Sequence, residues 1–216
     1  MAILFRDSKG KTLGDYKRPS VAVDTAVLGL DPDLGLVVLE VRRPSGNLWA
    51  LPGTFLHEGE VLADAVERSL LEKANVRGVH PRQLHVFDGL TRDDRGWVLS
   101  VAHVAVVTAE QLSERFPGET RLVPANRPGR LIYDHRRIIE LAVADVRSGY
   151  DVRPDPDHLL GATFTLRELR RVHESIAGRE IQRDNFRRAM EAHLEPVGSP
   201  EPSGGRGRPA QRFRRR

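Results

Sequence analysis

An α+β fold in two parts is what this sequence predicts, and three observations carry the prediction. The first 149 residues alternate between strand-like and helix-like apolar periods. A polar stretch with two prolines, SGYDVRPDPDH at 148–158, then reads as a boundary. Beyond it lie two short helical patterns and an end rich in Gly, Pro and Arg. The expected division is 1–148 and 149–216. Charge divides the chain at the same place: residues 150–216 hold 14 Arg against 10 acidic residues, which accounts for the whole net charge of +4. A neutral body with a basic end suggests a polyanion-binding module at that end.

The elements follow in order. PSVAVDTAVLG (19–29) alternates as a half-buried strand does, and GLVVLEVRR (35–43) is apolar enough to be central. LWALPG (48–53) is extended, because Pro52 turns Leu51 away from helix. A helix is expected from Gly59 and Glu60 to about Lys73, with Leu62, Val66 and Leu70 inward. Residues 84–91 and 97–108 read as strands around the turn DDRG (93–96), and residues 134–147 as a helix with Asp134 as its cap. In FTLRELRRVHESIAG (164–178), Thr165 and Glu168 have capping-box spacing and Gly178 is a stop. A further helix, 180–193, would turn Phe186, Ala189, Met190 and His193 to one side. Two strand-like pieces around the loop GGRGRP (204–209) end the chain.

Composition removes several classes. Without cysteine there is no disulfide frame and no thiolate metal site. The eight histidines show no His-x-x-x-His spacing. No run reaches the ~20 apolar residues of a spanning helix, so the expectation is a cytoplasmic chain with no membrane partner.

The stretch Leu51–Val76, LPGTFLHEGEVLADAVERSLLEKANV, resembles the Nudix box. Thr54 stands at its first Gly place, Glu60 and Arg68 match, Ser69 stands for a Glu, and Leu70 and Glu72 match. Lys73 stands for the second acid of the Glu pair, and Asn75 for the last Gly. On a helix, 69, 72 and 73 lie within about 100° of one another and are expected to share one face. The resemblance implies acids there that hold divalent cations against a diphosphate. Here the three offer a hydroxyl, a carboxylate and an ammonium, whose charge sums to about zero. A magnesium ion needs several hard oxygens, and at ~4 Å with an effective dielectric of ~20 each like unit pair costs ~4 kcal/mol. No catalytic residue and no metal ligand set are therefore expected, with Glu60 and Glu72 leaving room for weak Mg²⁺ binding at most. A cavity for a diphosphate compound would survive, contacted by Arg42, Arg43, Trp49, Glu60, Arg68, Glu72 and Lys73.

The second motif, Phe-Thr-Leu-x-Glu-Leu followed by Asn-Phe-Arg-Arg and a Gly/Arg loop, is the more specific one. Together with the altered box it resembles the Nudix-related transcriptional regulators of NAD metabolism, the NrtR family. That resemblance implies a Nudix-like α/β/α sandwich followed by a winged helix-turn-helix domain. It implies a homodimer that binds a double-stranded DNA operator, and an ADP-ribose-like effector that weakens DNA binding. Expected DNA contacts are Thr165, Arg167, Arg183, Asn185, Arg187 and Arg188, with Arg206 and Arg208 in the wing. The rival reading is an active Nudix hydrolase of ADP-ribose, or of another nucleoside diphosphate derivative, with a basic appendage.

Overall fold

The computed structural model describes residues 5–44, 47–201 and 210–216. Seven strands form one mixed sheet: β1 (Ser20–Asp31), β2 (Gly35–Arg42), β3 (Trp49–Ala50), β4 (Gly53–Phe55), β5 (Arg82–Phe87), β6 (Val98–Val106) and β7 (Thr120–Pro124). The order along the sheet is β3-β2-β1-β6-β5, with β4 also on β1 and β7 on β2. β1 pairs parallel with β6 from Ser20↔Val98 to Leu28↔Val106, and antiparallel with β2 and β4.

The period-2 alternation of β1 and β2 puts a core on each face. Ala26, Leu28, Leu36 and Val38 face one way, onto Ile138, Ile139, Ala142 and Val146 of helix α3 (His135–Val152). Val23, Val27, Val37 and Leu39 face the other way, onto Ala65, Val66 and Leu70 of α1 (Leu62–Ala74), with Leu112 of the short α2 (Ala109–Ser113). This is the expected α/β/α sandwich. Each fully buried Val, Leu or Ile contributes roughly 1.5–3 kcal/mol by leaving water.

The C-terminal part is a winged helix. β8 (Phe164–Thr165) leads into α4 (Leu166–Ala177), then come α5 (Arg183–Met190), β9 (Leu194–Glu201) and β10 (Ala210–Arg215), and the small sheet runs β8-β10-β9. Its core is Phe164, Leu169, Phe186, Met190 and Leu194. The capping box of α4 forms as its spacing predicts. Thr165 Oγ1 accepts from Glu168 N–H at 3.2 Å, and Glu168 accepts from Thr165 N–H at 2.7 Å. Gly178 takes φ +70, the left-handed region a Cβ disfavours, and closes the helix.

Several expectations need correction. The helix expected to stop at Arg147 runs to Val152, so the boundary expected after Ser148 falls inside α3. Tyr150 is the reason: it is 3 % exposed and belongs to the core that α3 covers, while its polar neighbours stay outside. α1 begins at Leu62, so Glu60 precedes it, and Asn75 supplies the left-handed C-cap (φ 52) at a Gly place of the motif. The strand expected at 84–91 ends at Phe87. α5 starts at Arg183, capped by Gln182; Ala189 is exposed on it, and His193 is exposed because the helix gives way to a 3-10 turn at Glu191–His193. The loop 204–209, with Arg206 and Arg208, lies outside the described residues.

Candidate functional site

Beside α1 the sheet leaves a cavity of about 610 Å³, within the range of small-molecule sites. Its wall contains Arg42, Arg43, Glu72 and Lys73, four of the seven residues expected there. The Lys73 ammonium donates to the Gly53 carbonyl. Desolvation, with Arg43 nearby, holds Lys73 below the usual lysine range although Asp24 pulls the other way.

The other three residues lie outside that wall and are engaged with neighbours of their own. Arg68 forms a forked pair with Glu60 at 2.8 and 2.9 Å and also donates to Thr54 Oγ1 and the Phe55 carbonyl. It clips the loop before α1 onto the helix, where Glu60 also accepts from His57 N–H at 2.9 Å. Arg68, then the His57 amide, draw the Glu60 carboxyl down to about 2. Trp49 carries the Arg121 guanidinium 4.1 Å from its ring, and Arg121 in turn pairs with the buried Glu40 at 2.7 Å. Nor do residues 69, 72 and 73 share an open face. Ser69 is wholly buried with Ala65, Val66 and Leu70, whereas Glu72 is exposed and reaches Arg68 at 4.0 Å. The apolar stripe of α1 is wide enough to take position 69 into the sheet. Among the described residues no three His, Asp or Glu side chains converge as a metal site would need.

The floor of the cavity was invisible in the sequence. Asp24 of β1, Arg92 after β5 and His135 at the start of α3 meet there. Ser100 Oγ donates to Asp24 Oδ2 at 2.5 Å, His135 Nε2 lies 3.3 Å from Asp24 Oδ1, and Arg92 lies 3.6 Å from Oδ2. Burial raises the Asp24 carboxyl, but His135, Ser100 and Arg92 together outweigh it and hold it below its ordinary value. Gly53 has to be glycine here, because a Cβ would collide with the Asp24 carboxylate. Nearer the mouth, Arg95 pairs with Asp93 at 2.6 Å and lies over the rings of Phe55 and Tyr133, at 4.8 and 5.4 Å. No spacing links residues 24, 92 and 135 along the chain; only the β1–β6 pairing and the entry of α3 bring them together.

In the C-terminal part, α5 presents Arg183 and Asn185 from its first turn and Arg187 and Arg188 from its last turn to solvent, and Arg167 is exposed on α4. Arg187 pairs with Glu191 at 3.1 Å, and Arg188 donates to Asn185 Oδ1 at 2.5 Å. Both contacts are on the surface, where ion pairs are weak, so these groups are available to a stronger anion. The Thr165 hydroxyl is engaged in its cap, and Arg170 bonds Glu174 and the Ile181 carbonyl, so that it braces the turn before α5.

The two halves also resemble known proteins. Residues 156–214 match the model of the NrtR DNA-binding winged helix domain. An ADPR responsive transcriptional repressor, NtrR of Acinetobacter baylyi, is 29 % identical over 185 residues, 82 % of this chain and 74 % of that protein. NrtR of Shewanella oneidensis, solved in complex with a 27mer DNA, is 30 % identical with a TM-score of 0.72, over 91 % of this chain and 93 % of that one. The Nudix domain of the same Shewanella protein, solved with ADP ribose, aligns at 27 % identity and a TM-score of 0.53, over 64 % of this chain and 95 % of that domain. A likeness that runs through the sandwich and the winged helix alike, and not through either alone, makes this chain a member of the NrtR family.

Proposed function

We propose that this chain is a DNA-binding transcriptional repressor whose Nudix domain holds ADP-ribose, or a close diphosphate relative, without hydrolysing it. The observation that carries the reading is Lys73: an ammonium held by the Gly53 carbonyl stands in the cavity where the motif calls for an acid. With Ser69 buried, Glu72 is the one carboxylate left of three, too few for magnesium. Arg42, Arg43 and Lys73 supply positive charge suited to a diphosphate, so effector binding does not require a divalent cation. The exposed arginines of α5 and the basic end supply the DNA contacts. The protein acts as a dimer, since each winged helix reads one half-site and half-sites recur about one helical turn apart. An effector that favours one arrangement of the two winged helices is bound less well when DNA is present.

The test is a gel shift on DNA upstream of the gene and its neighbours, with and without ADP-ribose and with EDTA throughout. A specific shift that ADP-ribose releases in EDTA is the expected result. No specific shift at moderate salt overturns the repressor reading, and substantial turnover of ADP-ribose with magnesium overturns the claim of lost catalysis. Arg187→Ala combined with Arg188→Ala should weaken operator binding by ~2–4 kcal/mol and leave ADP-ribose affinity unchanged in a titration without DNA.

A further inference from the structure

Two nitrogen donors on the cavity floor have no hydrogen-bond partner. The Arg92 side chain is 3 % exposed; its Nε is bound to Asp134 at 2.7 Å, but one terminal nitrogen, Nη2, is buried 3.6 Å from Asp24 Oδ2, too far to close a hydrogen bond. His135 is 2 % exposed, and its Nδ1 accepts from Leu51 N–H at 2.9 Å. With Nδ1 accepting, the ring proton sits on Nε2, which is also buried and lies 3.3 Å from Asp24 Oδ1 without closing a hydrogen bond. A buried donor left unmade costs on the order of 1–3 kcal/mol, so two of them in the floor of an open cavity point to a partner from outside.

Charge decides what that partner is. An anion placed between these donors would meet the Asp24 carboxylate. A cation would meet the Arg92 guanidinium. A hydroxyl satisfies both, because it accepts from N–H and donates to a carboxylate. The donors flank the carboxylate on its two sides, His135 near Oδ1 and Arg92 near Oδ2. Two adjacent hydroxyls would answer both, whereas a base edge offering one acceptor would leave one donor orphaned. We propose that Asp24, Arg92 and His135 bind the vicinal diol of a ribose, so that the effector enters sugar-first and leaves its diphosphate with Arg42, Arg43 and Lys73. This rests on the nucleotide-effector reading and adds the part of the ligand that the floor selects.

The experiment is displacement of fluorescently labelled ADP-ribose from the full chain by ribose 5-phosphate and by 2-deoxyribose 5-phosphate, which lacks one hydroxyl of the pair. Wild type should prefer ribose 5-phosphate at least tenfold. In Asp24→Asn, which keeps size and the Ser100 contact, and in Arg92→Gln, the preference should fall within threefold, with both variants melting as single folded species. Should Asp24→Asn fail to fold, Arg92→Gln and the wild-type sugar comparison still decide. Equal displacement by the two sugars, no displacement by ribose 5-phosphate at tens of millimolar, or a preference retained in the variants means that the floor holds only water, and overturns the proposal. A wild-type chain that binds no ADP-ribose overturns this inference together with the reading beneath it; binding with no sugar preference overturns this inference alone.

Discussion

Two buried aspartates, Asp24 in the sandwich and Asp155 where the winged helix begins, have opposite surroundings. Asp155 is fully buried and sits at φ +46, a conformation Asp tolerates better than most residues. Its oxygens accept from Tyr150 Oη–H at 3.1 Å, the Leu159 and Leu160 amides at 2.8 and 2.9 Å, and Arg215 of β10 at 2.7 Å. That is about the full capacity of a carboxylate. Asp24 has one firm hydrogen bond, from Ser100, and two near donors that miss it. A saturated buried carboxylate is a joint, whereas one whose neighbours stay unsatisfied is a place for a ligand. The contrast separates fold from function more sharply than burial does, since both residues are buried.

Disturbing the joint is expected to be the costlier change. Asp155→Ala strands the Arg215 guanidinium, the Tyr150 hydroxyl and two amides, and should cost about 3–5 kcal/mol, read by urea unfolding. A loss under about 1 kcal/mol would mean that the joint is not one. Next is pH. Burial, partly opposed by Asp155, depresses His173 beside this joint to about 4 from 6.5. The unfolded chain therefore takes up a proton below pH 6.5 that the folded chain refuses until about pH 4. Stability from this group is complete above 6.5 and is lost on acidification, by roughly 3 kcal/mol at pH 4. His173→Gln should flatten that part of a stability–pH profile; an unchanged profile would assign it to other groups. Asp24→Asn keeps the Ser100 contact and should cost only about 1 kcal/mol in the same unfolding assay, because a charge-assisted hydrogen bond becomes a neutral one. Smallest of all, Arg187→Ala should change unfolding by no more than about 0.5 kcal/mol, because its Glu191 partner is a surface i,i+4 contact.

What could be read in the sequence was what short spacing encodes. The capping box Thr165/Glu168, the stop at Gly178, the alternation of β1 and β2 and the register of the Nudix-like motif are all set by residues a few positions apart. The motif named positions without saying which way they face. Glu60 and Arg68 turned to each other, and Ser69 went into the sheet, because the width of the buried stripe on α1 depends on what covers it. The continuation of α3 past Arg147 was hidden by the polar residues on its outer side, since burial of Tyr150 is settled by the neighbouring domain. The Asp24–Arg92–His135 floor was hidden completely: its members come from three elements and share no pattern.

α3 carries one more consequence. Its first residue, His135, belongs to the cavity floor, and near its other end Tyr150 packs edge-on against His173, which packs in the same way against Phe186 of α5, with ring centroids 5.0 and 4.9 Å apart. Eighteen residues make a rod about 27 Å long. A rod of that length amplifies: a tilt of about 3° at the cavity end swings the far tip by about 1.4 Å, half a hydrogen-bond length, delivered through edge-to-face rings to the helix that would lie in a DNA groove.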